Sequence, residues 1–169
     1  MNDYFKDDNA VLPRLLASNA LRANLSKHMT LNQMADHKAS MIITAASLIL
    51  TISVTQFDKL GLAMFLVMVL SSGSAILFSI FAIIPALHVK GFVNLFYFRS
   101  FAQVSEDQFI ELFKETISDK DKLYDAYLRE IYYLGKHRLT YKYRWISGGL
   151  WSLLFGLAAS TIMTVFRFF

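Results

Sequence analysis

Cysteine is absent from the sequence, which excludes disulfides and every metal or redox site built on thiolate. The four histidines, His28, His37, His88 and His137, lack the paired spacing of a metal-ligating motif. No glycine-rich phosphate loop and no nucleophile elbow occurs, so the usual local signatures of phosphoryl and acyl transfer are missing. Glu106, Asp107, Glu111 and Glu115 read as the solvated face of a helix rather than an acid–base pair. Neither catalysis nor a cofactor is expected. The first thirty residues carry Asp3, Lys6, Asp7, Asp8, Arg14, Arg22 and Lys27 and no apolar core segment, so a cleaved signal peptide is not expected. Between Arg14 and Gly61 the chain has neither glycine nor proline, a long stretch with no breaker of helix.

Charge is missing from three places where its absence decides the fold class. Ala39–Gln56, Leu60–Leu87 and Trp145–Phe166 contain no Asp, Glu, Lys or Arg. A spanning helix needs about 20 apolar residues to cross roughly 30 Å of hydrocarbon. Backbone amides find no water there, so only helices or closed barrels cross. The runs are continuous rather than alternating, which points to helices. The expected fold is an all-α membrane protein with three transmembrane helices and a cytoplasmic helical extension. That extension is formed by the N-terminal arm, a short helix and the stem of the third span.

Positive charge sets the expected orientation. Residues 1–38 hold five Lys and Arg, residues 88–144 hold ten, and Lys59 and Arg167 are the remaining two. Basic flanks stay on the cytoplasmic side. The N-terminus and the middle segment are therefore expected inside, and the C-terminus outside. The net charge of +4 follows this topology, and nucleic acid is not an expected partner; the lipid bilayer is. The expected organisation is a cytoplasmic amphipathic helix over 1–38, a transmembrane hairpin over 39–87, a cytoplasmic helical region over 88–144, and the third span over 145–169.

Local signals place the elements. Pro13 suits a first helical turn, with Asp7, Asp8 or Asn9 near enough to cap it. Leu15, Leu16, Leu21, Leu25, Met29 and Leu31 give one apolar side. The arm either continues into the first span or lies as an interfacial helix on lipid. Gln56–Lys59 is a tight turn of a hairpin, and the second span ends near Pro85. Asn94–Arg99 is rich in aromatics and is expected at the membrane interface. Ser105 and Gln108 match a capping box, and Ser118–Asp121 opens a second helix. With only Gly135 interrupting, that helix runs on through the third span, about 70 Å at 1.5 Å per residue.

Three constellations stand out. Gly148, Ser152, Gly156 and Ser160 recur every four residues, with similar stripes at Ser71, Ala75, Ser79, Ala82 and Ala86, and at Ser40, Thr44, Ser47 and Thr51. Small residues let spans approach closely within lipid, either inside one chain or between subunits of a homo-oligomer. At the mouth of the first span stand Asn32, Asp36 and Lys38. They either snorkel to water or form a packed ion pair, with Lys142 or Arg144 as the partner at equal depth. Finally, Lys136–Arg144 interleaves cations with Tyr141 and Tyr143, as a lipid-facing anchor does or as an anionic-ligand site does.

The segment Leu31-Asn32-Gln33-Met34-Ala35-Asp36-His37-Lys38-Ala39 resembles the motif preceding the first span in the Pycsar transmembrane effector family. Asn94-Leu95-Phe96-Tyr97-Phe98 with Phe101, and Tyr124–Arg144 with Glu130, Ile131, Leu139, Lys142, Tyr143 and Arg144, are similar to that family's next two segments. The likeness covers residues 20–165. It implies a non-catalytic effector of bacterial antiphage defence in the inner membrane. A companion pyrimidine nucleotide cyclase would supply cUMP or cCMP, and the effector would respond by impairing the membrane and arresting or killing the cell. For such a ligand, the basic stem residues Arg129, Arg138, Lys142 and Arg144, with Arg99, are the expected contacts to the cyclic phosphate. The competing reading is a membrane anchor, an adaptor or a small channel subunit that recruits soluble partners.

Overall fold

A computed structural model describes residues 11–84, 95, 96, 100 and 102–168. The described residues are helical, with no strand among them. Helix α1 runs unbroken from Val11 to Thr55, as the absence of glycine and proline permits, so the arm and the first span are one helix. A single turn, α2 (Phe57–Leu60), follows. Gly61 then adopts φ 78° and ψ 155°, a backbone region open essentially to glycine alone. Helix α3 spans Leu62–Ile83. Further on come α4 (Glu106–Ser118), α5 (Lys120–Tyr133), a π-helical turn over Leu134–Leu139, and α6 (Thr140–Phe168). Three helices are long and apolar enough to cross a membrane.

The chain divides into two compact units, one of residues 32–87 and 136–169, the other of 1–31 and 88–135. In the first unit α1, α3 and α6 form a three-helix bundle. Ala35, Ala39, Ile42 and Ala46 of α1 are buried with Ala75 and Ala82 of α3 and Ile146 and Leu153 of α6. Buried positions follow alternating steps of three and four. On α1 they are 35, 39, 42, 46 and 53, and on α3 they are 72, 75, 79 and 82, with 71 beside them. From the end of the π turn through α6 they are 139, 142, 146, 149, 153, 156 and 160. A mean period of 3.5 keeps one face against a neighbour over many turns.

Of the small-residue stripes picked out in the sequence, Ser71, Ala75, Ser79 and Ala82 are buried on α3, and Ala86 lies outside the described residues. Steps of four advance about 400° on a helix of 3.6 residues per turn, so a four-residue stripe drifts about 40° per step off the contact. Gly156 and Ser160 lie on the buried seam, while Gly148 and Ser152 are only half-buried beside it. Gly149, not Gly148, makes the close approach. A Cβ on Gly149 would stand 3.1 Å from Ser79 Oγ and 3.2 Å from the Ala75 carbonyl, and one on Gly156 would overlap Ser71. Gly148 faces the Phe78 ring at an ordinary 3.4 Å. Ser40, Thr44, Ser47 and Thr51 are exposed on the outside of this single chain.

The second unit is held by caps and rings. The Ser105 side chain accepts from the Gln108 amide, and Gln108 Oε1 accepts in return from the Ser105 amide. Asp119 caps α5 by accepting from the Asp121 and Lys122 amides. The Lys122 ammonium reaches Glu115 at 2.5 Å. Its pKa is raised, first by that hydrogen bond and then by the charge of Glu115. Phe96 stacks on Tyr127 with centroids 5.0 Å apart and meets Phe113 edge-on at 6.5 Å. This aromatic is therefore packed between α4 and α5. Asn94, Tyr97, Phe98, Arg99 and Phe101, like Pro85, lie outside the described residues.

Candidate functional site

The mouth of the three-helix bundle gathers residues from α1 and α6. Asn32 and Asp36 are one turn apart on α1, flanked by Ala35 and Ala39, both fully buried. Lys142 lies on the buried seam of α6, and its ammonium donates to Asp36 Oδ1 at 2.5 Å. The Lys142 side chain is 10% exposed and that of Asp36 41%. The pair thus joins a desolvated cation to a carboxylate that water still reaches. Lys38 is placed differently: its Nζ lies 5.3 Å from the centre of the Tyr143 ring, a cation–π arrangement. Asn32 Oδ1 is buried with no hydrogen-bond partner among the described residues. Arg144 points away from the seam and is exposed.

Just inside this pair an aromatic girdle closes the α3–α6 contact. The Trp145 ring lies 5.6 Å from Phe78, 5.2 Å from Phe81 and 5.9 Å from Tyr141. Aromatic rings of this kind favour the boundary between headgroups and hydrocarbon. Deeper, Ser152 Oγ lies 2.5 Å from Ser74 Oγ and donates to the Ser71 carbonyl at 3.0 Å. At the opposite end the Arg167 guanidinium donates to the carbonyls of Lys59 and Leu60 at 2.8 and 3.4 Å. It thereby ties the end of α6 to the hairpin turn.

The π-helical turn is a local feature of the chain that residue types alone did not reveal. Upstream, Glu130 and Leu134 are buried and Leu123 and Tyr127 half-buried, at steps of four, three and four, and downstream the buried positions are Leu139, Lys142 and Ile146. The step from Leu134 to Leu139 is five. One extra residue is accommodated by widening a turn, and the helix continues without a break. The signal available in the sequence was that single phase slip. Within this turn Gly135 faces His28, whose Cε1 would lie 3.3 Å from an added Cβ.

Of the cations expected to meet phosphate, Lys142 is committed to Asp36, and Arg99 lies outside the described residues. Arg129 and Arg144 are exposed and Arg138 is half-buried within the π turn. No cluster of three or more metal-ligating side chains occurs among the described residues.

No curated protein and no solved structure gives a match to this chain. Residues 20–168 match the Pycsar effector protein domain, a family of antiphage membrane effectors. That range takes in all three spans, the ion pair and the π turn. The chain belongs to the Pycsar effector family.

Proposed function

We propose that this protein is a non-catalytic effector that answers cUMP or cCMP, made by a companion cyclase, by impairing the bacterial inner membrane. The observation that carries this reading is the family match over residues 20–168. The positive-inside distribution supports a cytoplasmic N-terminus and a cytoplasmic 88–144 segment, with the C-terminus outside. Arg129, Arg138 and Arg144 are the proposed phosphate contacts, since guanidinium grips phosphate with two parallel hydrogen bonds. A ligand drives such a change only by binding one state of the protein better than the other.

Assembly into a homo-oligomer is part of the proposal. The exposed Ser40, Thr44, Ser47 and Thr51 face supports it. Three of these hydroxyls donate to the carbonyl four residues back, so the face is small yet needs no polar partner from a neighbour.

The test is co-expression with an active pyrimidine cyclase while membrane potential and growth are followed. Depolarisation that depends on cyclase activity is the expected result. A polarised membrane with cyclic nucleotide present would remove this reading and leave the anchor or adaptor. Arg138→Ala and Arg144→Ala should abolish the response with expression unchanged, whereas anchoring residues would lose expression instead.

A further inference from the structure

The interior of the bundle holds hydroxyls in an unusual state. Across the spans, serine and threonine turn back on their own helix. Ser53 donates to Ile49, Ser74 to Leu70, Thr161 to Leu157 and Thr164 to Ser160, all at 2.7 to 2.8 Å. This is the default for a hydroxyl in a membrane helix. Ser72 and Ser79 depart from it. Both are fully buried, and their Oγ atoms have no hydrogen-bond partner among the described residues. Ser79 Oγ is directed at Gly149, 3.1 Å from where a Cβ would sit. Ser72 stands ten residues into α3, about 15 Å along a helix rising 1.5 Å per residue, which is the depth of the bilayer midplane. A buried polar atom without a partner is costly and calls for one.

The α3–α6 contact holds further polar residues. Ser74 and Ser152 share a hydrogen bond across the α3–α6 contact, Ser71 packs against Gly156, and Ser160 is buried one turn further along. Only the missing side chains of Gly149 and Gly156 let the two helices close over this row.

We propose that the seam along the buried face of α3, where α6 closes over it, is a closed water path, lined by Ser71, Ser72, Ser74, Ser79, Ser152 and Ser160, that hydrates when the helices part. It rests on the reading of the chain as a membrane-impairing effector and assigns the leak to this seam rather than to the outer face of α1. Water entering the seam satisfies Ser72 and Ser79, which offsets part of the packing lost on opening. A row of neutral hydroxyls would pass water and small ions with little charge selectivity.

The absence of native cysteine makes the test direct. Ser72→Cys and Ser79→Cys are introduced singly into the full chain, reconstituted in lipid vesicles, and probed with a charged methanethiosulfonate that reacts only with hydrated thiol. Leu70→Cys and Leu77→Cys, on the outside of α3, serve as lipid-facing controls. At rest all four should stay unlabelled. With cUMP or cCMP, labelling of Ser72→Cys and Ser79→Cys should accelerate at least tenfold while the controls do not change. Vesicles that leak with both cysteines unlabelled, or with the controls labelled equally, would overturn the proposal.

A second arm needs no ligand. Gly156→Leu, or the milder Gly156→Ala, wedges the seam against Ser71 and should produce leak and labelling together without nucleotide. Tight vesicles with unlabelled Ser79→Cys in either folded wedge variant would also overturn it. Labelling in the wedge without any nucleotide response would sustain the seam while the nucleotide-effector reading fell.

Discussion

Replacing either partner of the Asp36–Lys142 pair should be unequally harmful, and the inequality can be worked from burial. Removing one member of a fully buried pair costs about 3–5 kcal/mol, because the other charge is left stranded. Lys142, with 10% of its side chain exposed, is near that limit, and Asp36, at 41%, is not. Asp36→Asn strands the ammonium and should cost about 2–3 kcal/mol, below the full figure because water reaches the Asp36 position. Lys142→Met keeps the packing of the stem and leaves a carboxylate that turns to water. Its cost should be about 1 kcal/mol, the upper range for exposed pairs. The double substitution should cost about 1 kcal/mol, giving a coupling of about 2–3 kcal/mol in a double-mutant cycle. Equilibrium unfolding of the detergent-solubilised protein, followed by circular dichroism, reads all three values. Equal costs for the two single changes, or a greater cost for Lys142→Met, would refute the account of a buried cation held by a half-solvated carboxylate.

Other expectations follow from the same geometry. Gly149→Ala should destabilise by about 1–3 kcal/mol through overpacking, while Gly148→Ala, one residue away, should be close to neutral in the same unfolding assay. Deleting His137 removes the extra residue of the π turn and turns the step of five into four, so the variant should fold with an unbroken helix. Deleting Ser147 rotates the rest of α6 by about 100° and should abolish insertion, as read by expression and size-exclusion profile. Asp119→Ala should cost about 1 kcal/mol through the lost cap of α5. The raised pKa of Lys122 means that its favourable pairing with Glu115 is complete below the ordinary lysine value of 10.5 and is lost as pH rises through the higher folded value. Glu115→Gln should lower that titration, followed by NMR of the Lys122 side chain.

Much of the architecture is legible from local features because lipid imposes local rules. Three uncharged runs without the alternation of a barrel strand are helices, since the backbone must satisfy itself within each segment. Ser105 with Gln108, and Asp119 before Lys120, mark helix starts because the orphan amides of a first turn need acceptors nearby. The unbroken α1 follows from the missing glycine and proline between Arg14 and Gly61. Asn32, Asp36 and Lys38 are conspicuous in the sequence for standing beside an apolar run, but sequence alone leaves Lys142 and Arg144 as equal candidates for Asp36.

What only the tertiary structure decided is which face of each helix meets which neighbour. Small residues are plentiful on all sides of these spans, so composition does not choose between Gly148 and Gly149. The choice is made by the packing, which brings Ser79 and the Ala75 carbonyl up to Gly149. The same pairing of faces places Lys142 rather than Arg144 against Asp36 and leaves Ser72 and Ser79 buried without partners. The absence of charge determined that the chain crosses the membrane three times. The meeting of the helices determined where, inside that membrane, polarity was kept.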